Sequence, residues 1–468
     1  MEQTIADARS WRRLLASEAR RPEWVRENPN APWFVVASVC VGAFMGQLDA
    51  SIVTVALPRI AAGLHTSTTT VEWVSLSYLL VLVCALATVG RLADRLGRKL
   101  LYVDGFVVFT VGSLLCALAP TVGWLIAARV LQGLGAAMLQ ANSVALIRIA
   151  MPDASLGRAI GVQGTAQALG LALGPVIGGA LLSLGGWRLL FLVNAPAGAI
   201  GLILGWLLLP RSRPGDAQPG RLDISGAVLL AGAGGAALLL LSFVRRLAAP
   251  TAIAFAVVSI ACSAAFVLAE RRAREPLVDM RLVSQRPVGF GLAGALASFA
   301  VIFGALFALP FHLAAEHVSP GLTGLELAVL PVALGLSAPI AGRHASMPVA
   351  RGLMATSLAV AAAGLAIIAT WHGTLGLLAG LAVTGAGIGG FVPANNASIM
   401  SSAPRSSAGV LSGVLNMTRA LGTALGVALA SLLYRSAGLT PCLLALAGVA
   451  LLGSAAALVS GARQPPRR

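Results

Sequence analysis

The chain has 468 residues, of which 57% are hydrophobic and only 11% are charged. Because soluble domains carry about 25% charged residues, this composition excludes a soluble globular protein and indicates a membrane protein with many spans. The formal net charge of +16 would also suit a nucleic-acid-binding protein, but the positions of the basic residues, described below, argue against that class.

The chain contains fourteen stretches of the length needed to cross a bilayer, which is roughly 20 predominantly apolar residues. Residues 1–32 are polar and rich in arginine, and no cleavable signal peptide is predicted before the first span. The predicted spans are residues 33–58, 72–90, 100–120, 123–147, 159–184, 188–209, 223–244, 251–269, 288–313, 322–341, 352–371, 374–396, 406–433 and 439–461.

The basic residues indicate how these spans are oriented. If both termini lie in the cytoplasm, 26 of the 33 Lys and Arg residues fall in the termini and the cytoplasmic loops, and five fall outside. Such an excess is the usual signal of the cytoplasmic side. The sequence therefore predicts an integral protein of the cytoplasmic (inner) membrane with both termini in the cytoplasm. The same residues suit anionic membrane lipid as a partner, and nucleic acid is not expected.

The two halves of the chain repeat each other at a constant offset of 252 residues. The offset pairs Val55–Pro58 with Phe307–Pro310, and Ala168–Gly174 with Ala420–Gly426. A shift of eight spans preserves orientation, so the halves are parallel repeats, which place a substrate site between them near the middle of the membrane. The predicted domains are a tail (1–32), a six-helix bundle (33–209), a linker with an inserted hairpin of two spans (210–287), a second six-helix bundle (288–461) and a tail (462–468).

Two oppositely charged side chains lie deep within spans of the first half, at comparable depth. They are Asp49 in the first span and Arg129 in the fourth. A charge in the membrane interior costs on the order of 3 kcal/mol, so we expect the two to face one cavity and to interact directly or through water. At the 252-residue offset they correspond to Val301 and Leu381. This asymmetry favours a proton-coupling role for the pair, with a purely structural ion pair as the alternative.

Other polar side chains within spans are candidates for lining a substrate cavity. On the fourth span, Gln132 and Gln140 share one helical face with Arg129. Arg419 has no evident acidic partner, so a hydrogen bond between helices and a contact with substrate both remain open for it. The candidates are Gln132, Gln140, Gln163, Gln167, Asn395, Asn396, Asn416 and Arg419.

Three glycines form one face of the fifth span. Gly170, Gly174 and Gly178 are four residues apart and allow another helix to approach closely. Pro175 removes one backbone donor and can bend the helix. The face is either a fixed packing surface or the seam along which the two halves slide.

Motifs for catalysis, metals and cofactors do not stand out. The five cysteines lie in apolar stretches without a C-x-x-C pair, and His312, Glu316 and His317 are only a weak candidate for a metal site. The sequence has no P-loop, zinc motif or G-x-S-x-G. No enzyme activity, metal or cofactor is predicted.

Several stretches resemble the major facilitator superfamily. GRLADRLGRK, Gly90 to Lys99, resembles the signature loop between its second and third helices. LIAARVLQGLGAAM resembles its fourth-helix motif, and GLALGPVIGGAL its antiporter motif. LDASIVTVALPRI, VEWVSLSYLL and WRLLFLVNAP resemble the fourteen-helix drug:proton antiporter branch of multidrug efflux proteins. The resemblance covers nearly the whole chain, and it implies an all-α membrane fold of two six-helix bundles plus an inserted two-helix hairpin.

The resemblance also implies a role for each motif. Arg129 takes the position linked to proton transfer. The loop residues that control the conformational state are Gly90, Asp94, Arg95, Gly97 and Arg98, and the antiporter motif comprises Gly170, Gly174, Pro175, Gly178 and Gly179. The second copy of the loop has Ser346 where the first has Asp94, so state-locking contacts are expected at the first copy only.

The sequence departs from the family in two places, one at Glu72 and one that concerns the charge of the substrate. Glu72 stands where the family usually has a neutral residue, and its role is open. Acidic residues are missing from the middle of spans 9 to 14, which disfavours a strictly dicationic substrate.

The sequence thus predicts a monomeric, proton-coupled antiporter that exports drugs or other small amphiphilic compounds across the cytoplasmic membrane by alternating access. Its partners would be a small-molecule substrate, protons and membrane lipid. An exporter dedicated to one endogenous metabolite or self-made antibiotic is the first alternative. A non-transporting membrane sensor or lipid-handling scaffold is the second.

Overall fold

The computed structural model describes residues 21–211, 224–273, 278, 280–344, 347–402 and 408–459. Within these ranges fourteen helices are long and apolar enough to cross a membrane, so the predicted all-α fold with fourteen spans is confirmed. The spanning helices are α1 (Ala31–Gly63), α2 (Trp73–Leu96), α3 (Arg98–Ala117), α4 (Val122–Ala150), α5 (Asp153–Gly185), α6 (Asn194–Leu208), α7 (Ile224–Phe243), α8 (Ala249–Arg272), α9 (Arg286–Ala315), α10 (Pro320–His344), α11 (Met347–Thr370), α12 (Thr374–Ser401), α13 (Ala408–Ala437) and α14 (Leu439–Val459).

Several helices extend beyond the apolar stretches predicted for them. The first continues through Pro58 to Gly63, and the fifth begins at Asp153. Helical hydrogen bonds persist outside the hydrocarbon, so hydropathy marks the membrane-buried part of a helix and not its ends. The predicted tail up to residue 20, the linker 212–223, Ser346 and the tail after residue 459 lie outside the described residues.

The sixth predicted span is divided into two helices. A short helix, Leu189–Leu192, is followed by a turn at Val193, and α6 begins at Asn194. Pro196 explains the break, because it has no N–H to donate to the carbonyl of the residue four positions earlier. The break places the side chain of Asn194 at the start of a helix, inside the first bundle.

The two halves pack their helices in the same pairs. In the first half α1 packs on α5, α2 on α4 and α3 on α4, and in the second α9 packs on α13, α10 on α12 and α11 on α12. Each pair is displaced by eight helices, which is the shift that the 252-residue offset predicts. The hairpin lies outside this repeat, since α7 packs on α2 and α13 while α8 packs on α7.

The halves meet at one end of the molecule. We call the end at which α1 begins and α14 ends the terminal face, and the end that carries the loops 64–67, 118–121 and 186–188 the far face. Near the far face α5 packs on α10 and α2 on α13. A Cβ atom on Gly179 of α5 would lie 3.0 Å from the Cα atom of Gly324 of α10, so these glycines allow the two helices to touch.

Toward the terminal face the same helices separate. Gly157, Gly161 and Gly164 of α5 have no described neighbour within 4 Å of the Cβ position, and the same holds for Gly335 of α10 and Gly413 of α13. The structure is therefore closed at the far face and open toward the terminal face.

The glycine face of α5 packs within the first half. A Cβ atom on Gly174 would lie 2.7 Å from the Cβ atom of Ser51 of α1, and one on Gly178 would lie 3.0 Å from Cγ1 of Ile52. Gly170 is equally close to the backbone of α1, at Phe44. The alternative that Gly170, Gly174 and Gly178 form a sliding seam between the halves is therefore wrong for this state. Of the motif glycines, Gly179 is the one that contacts the second half.

The signature loop joins α2 to α3 at the terminal face. Gly90, Asp94 and Arg95 lie on the last turns of α2, Gly97 is the connecting residue and Arg98 begins α3. Gly97 has φ of 111°, a value that favours glycine because it lacks a Cβ atom. Asp94 forms an ion pair with Arg98 of the same loop.

Lys99, next to the loop, donates hydrogen bonds to the carboxyl end of another helix. Its Nζ atom donates to the carbonyl oxygens of Trp206 (2.8 Å) and Leu209 (3.0 Å) at the carboxyl end of α6. These carbonyls have no partner within their own helix, so Lys99 satisfies them and fixes α3 to α6.

The close approach of α1 and α5 predicts opposite effects for two glycine substitutions on one helix. Gly174→Ala should destabilise the protein by about 1–3 kcal/mol, because the new methyl group overlaps Ser51. Gly164→Ala is the matched control: its Cβ position is open, so the melting temperature should stay the same or rise. Thermal unfolding of both variants in detergent measures the difference, and equal melting temperatures would contradict the packing described.

Candidate functional site

A buried carboxylate occupies the interior of the first bundle. Asp49 of α1 has no exposed surface. Its Oδ2 atom accepts a hydrogen bond from Nη1 of Arg129 (2.6 Å), and its Oδ1 atom accepts from Nε2 of Gln132 (2.8 Å) and from Nδ2 of Asn194 (2.9 Å). Three helices, α4, α6 and α1 itself, thus supply the carboxylate and its donors. Such a fully bonded ion pair can stay charged inside a low-dielectric bundle.

Besides Asp49, the guanidinium of Arg129 contacts a backbone carbonyl, a side-chain amide and an aromatic ring. Its Nε atom donates to the carbonyl oxygen of Val74 (2.8 Å), and Nη1 also donates to Oε1 of Gln132 (2.7 Å). The ring of Tyr78 covers it, with 4.1 Å between the ring centroid and Cζ. Arg129 is 1% exposed, and all of these partners belong to the first half.

An outer layer of polar groups positions the amide of Asn194. Its Nδ2 atom also donates to Oγ of Ser113 in α3 (3.0 Å), and that hydroxyl donates to the carbonyl oxygen of Phe191 (2.8 Å). Sequence reasoning missed Asn194, because it lies in an apolar stretch. The signal that could have found it is Pro196, which breaks the helix two residues later.

The expected direct contact between Asp49 and Arg129 is present, but the expectation that both face a cavity is wrong. Neither residue lines the central cavity, whereas Tyr78, which covers Arg129, does. The physical reason is that amide donors of the first half complete the hydrogen bonding of the carboxylate, so water is not needed for that purpose. The pair lies one side chain away from the cavity.

The central cavity lies between the halves and is partly open to the outside of the molecule. Helices of both halves contribute to its wall. Its lining residues are Gly46, Gln47, Ala50, Tyr78, Leu79, Leu82, Gln140, Gln167, Phe299, Phe303, Asn416, Arg419, Ala420 and Thr423.

The eight predicted cavity residues are divided between lining and supporting positions. Gln140, Gln167, Asn416 and Arg419 line the cavity. The other four do not: Gln132 binds Asp49, Gln163 donates to Oγ of Ser143 (3.0 Å), Asn395 is buried, and Asn396 accepts a hydrogen bond from Arg419 (2.7 Å). Helical periodicity identified the polar face but not the neighbour that each amide meets.

The Major Facilitator Superfamily profile matches residues 39–270 and 291–468. The chain belongs to the major facilitator superfamily. The resemblance seen in the motifs is thereby confirmed, and the protein is a membrane transporter and not an enzyme. Family membership also removes the alternative of a non-transporting scaffold.

Several named transport and resistance proteins are similar to this chain over most of their length. The riboflavin transporter of Clostridioides difficile is 31% identical over 84% of this chain and 87% of its own length. The tetracenomycin C resistance and export protein of Streptomyces glaucescens is 32% identical over 86% and 76%. The multidrug resistance protein Stp of Mycobacterium tuberculosis is 33% identical over 83% and 73%.

A solved structure has the same fold. The human organic anion transporter MFSD10 superposes with a TM-score of 0.66 at 18% identity, over 92% of this chain and all of that chain. At this identity the likeness shows the superfamily fold alone.

A second buried carboxylate lies where the halves meet at the far face. Glu72, at the start of α2, is fully buried, and Nη2 of Arg435 on α13 lies 3.9 Å from its Oε2 atom. Arg435 also donates to Thr69 and to the carbonyl oxygen of Ser242 on α7 (3.1 Å). The pair therefore joins both halves and the inserted hairpin. Sequence reasoning missed it, since both residues lie at helix ends.

The Glu72–Arg435 pair predicts a coupled effect on stability. Arg435→Gln leaves Glu72 buried without its counter-charge and should cost about 1–3 kcal/mol. Glu72→Gln in the same protein should restore much of that loss. Thermal unfolding of both single variants and the double variant measures the coupling, with Arg59→Gln as an exposed far-face control. Strictly additive losses would show that the two residues act independently.

The position of Tyr78 predicts how Asp49 is shielded from the cavity. Tyr78→Ala should expose the ion pair, so dicyclohexylcarbodiimide should label Asp49 several-fold faster than in the wild type. Leu79→Ala is the control, because Leu79 lines the cavity without covering Arg129. Mass spectrometry of the labelled peptide gives the rate, and equal labelling of both variants would refute the shielding.

Proposed function

We propose that this transporter is a proton-coupled antiporter that exports drug-like or other small amphiphilic compounds by alternating access. The observation that carries the proposal is the Asp49–Arg129 pair, a titratable group buried one side chain away from the cavity. We further propose that it acts as a monomer in the cytoplasmic membrane, with both termini in the cytoplasm.

Proton binding at Asp49 would change the contacts of a residue that lines the cavity. An ionised Asp49 accepts three hydrogen bonds, whereas a protonated one loses its charge and weakens the hold on Arg129. Tyr78 rests on that guanidinium and lines the cavity. A proton and a substrate can therefore influence each other through a single aromatic ring, without sharing one binding site.

The arrangement of the halves supports alternating access. The far face is closed by the α5–α10 and α2–α13 contacts, while the helices separate toward the terminal face. With the terminal face in the cytoplasm, as the basic residues predict, this state takes up substrate from inside. Rocking of the two bundles about the cavity would then release it outside.

The remaining motif residues have proposed roles in this cycle. Gly170, Gly174 and Gly178 hold α1 and α5 together, so that Asp49 moves with α5 as one body. Gly179 and Pro175 of α5 face Gly324 of α10 and would separate when the far face opens. Asp94 and its loop would engage the second half when the terminal face closes.

The available energy is adequate for uphill export. One charge that crosses 100 mV supplies about 2.3 kcal/mol, and one pH unit supplies about 1.4 kcal/mol. Exchange of one proton for one neutral solute would therefore sustain a gradient of several hundredfold.

A dedicated exporter of one compound is the second candidate. Relatives named for riboflavin and for tetracenomycin C favour it, since each is named for a single compound. A panel of dyes, antibiotics and metabolites separates the two, because one strong responder without general dye efflux would indicate the narrow function.

The proposal predicts that Asp49→Asn abolishes uphill transport. The amide cannot exchange a proton, so vesicles with an imposed pH gradient should no longer accumulate a compound that the wild type concentrates. Asp104→Asn is the matched control, because Asp104 lies on α3 with an exposed side chain. If Asp49→Asn pumps like the wild type, the coupling assignment is wrong.

A further inference from the structure

The central cavity contains one charged side chain among its described lining residues, and that charge is positive. The charge belongs to Arg419, and the polar groups beside it, such as Gln140, Gln167 and Asn416, are neutral. The carboxylate of Asp49 does not compensate it, because that group is bound to Arg129 behind Tyr78. The cavity therefore presents an excess positive charge to whatever enters it.

The guanidinium of Arg419 is held in place without being neutralised. Nη2 donates to Oδ1 of Asn396 (2.7 Å), and Nη1 donates to Oδ1 of Asn416 (3.3 Å). Both acceptors are uncharged amides. The Nε atom is buried and has no hydrogen-bond partner among the described residues. An arginine has five N–H donors in a planar fork, so the group retains donors for a further acceptor.

An unpaired cation in this position is costly to the protein. Neutral amides satisfy hydrogen bonds but leave the charge uncompensated, and a partly desolvated charge without a counter-charge is unfavourable. A carboxylate or sulfonate would remove that cost and can accept two parallel hydrogen bonds from the fork. A substrate that carries a positive charge would increase the cost.

An aromatic surface lies beside the guanidinium. Cζ of Arg419 is 5.4 Å from the ring centroid of Phe299. Phe299 and Phe303 both line the cavity and are stacked, with 6.3 Å between centroids and 21° between ring planes. A flat apolar group can pack on this surface while its acidic group reaches Arg419.

We propose that the transported substrate is an amphiphilic organic anion, with an aromatic or apolar body on Phe299 and Phe303 and a carboxylate or comparable acidic group on Arg419. The inference rests on the proposed function, since it names the substrate class of the same cavity. It also assigns Arg419 a role in recognising substrate. The sequence had left two roles open for this residue, a contact with substrate and a hydrogen bond between helices.

A series of three naphthalene derivatives tests the charge preference. They are 2-naphthoate, 2-naphthamide and 2-naphthylmethylammonium, which share one ring system and differ in charge. Calorimetric titration of the full-length protein in lipid nanodiscs, corrected with protein-free nanodiscs, measures their affinities. The anion should bind about 10- to 100-fold more tightly than either other compound, which is the usual magnitude of a hydrogen bond to a charged group.

Substitutions of Arg419 show whether that residue is responsible. Arg419→Gln should remove the preference for the anion and change the affinity for the amide less than about threefold. Arg419→Lys should restore part of the preference, because it keeps the charge without the fork. Arg59→Gln is the matched control, because Arg59 is an exposed arginine that does not line the cavity, and it should leave the order of affinities unchanged.

The outcomes separate this inference from the proposed function. Tighter binding of the ammonium compound, an anion preference that survives Arg419→Gln, or no saturable binding of 2-naphthoate would each overturn the anionic assignment. Asp49→Asn should keep the anion preference while losing proton-driven transport. A wild-type protein that binds 2-naphthoate but never couples transport to protons would instead refute the antiport proposal and leave the anion site standing.

Discussion

The ion pair between Asp49 and Arg129 is the interaction around which the first half is organised. A carboxylate and a guanidinium in the interior of a membrane protein are stable only if each finds enough partners. Asp49 finds them in Arg129, Gln132 and Asn194, which requires α1, α4 and the start of α6 to converge on one point. The second half has the buried apolar residues Val301 and Leu381 at the corresponding positions, so apolar packing takes the place of the ion pair there.

Separating the ion pair from the cavity has a clear physical advantage. If the carboxylate faced the cavity, it would attract cations. Its negative charge would also offset the positive potential that Arg419 creates for a substrate. Behind Tyr78 the pair is electrically almost neutral toward the cavity, and the positive charge of Arg419 dominates there. The proposed proton site and the proposed substrate site can thus have different chemistry although one side chain separates them.

The spans and the buried pair could be predicted from the sequence, because both follow from the bilayer. Hydrocarbon thickness fixes the length of an apolar stretch, and an unpaired charge in that stretch demands a partner at its own depth. The shielding of the pair could not be predicted, because an aromatic residue such as Tyr78 in an apolar helix has many possible neighbours. The Glu72–Arg435 contact could not be predicted either, because it joins two helix ends that come close only when both halves have assembled.

The inserted hairpin covers one of the two seams between the halves and leaves the other facing lipid. Helix α7 covers the seam between α2 and α13, whereas no described helix covers the seam between α5 and α10 on the opposite side. Toward the terminal face, Gly161 of α5 and Gly335 of α10 have no described neighbour within 4 Å of their Cβ positions. The hairpin therefore shields one seam between the halves from the surrounding lipid, while the other seam has no such cover among the described helices.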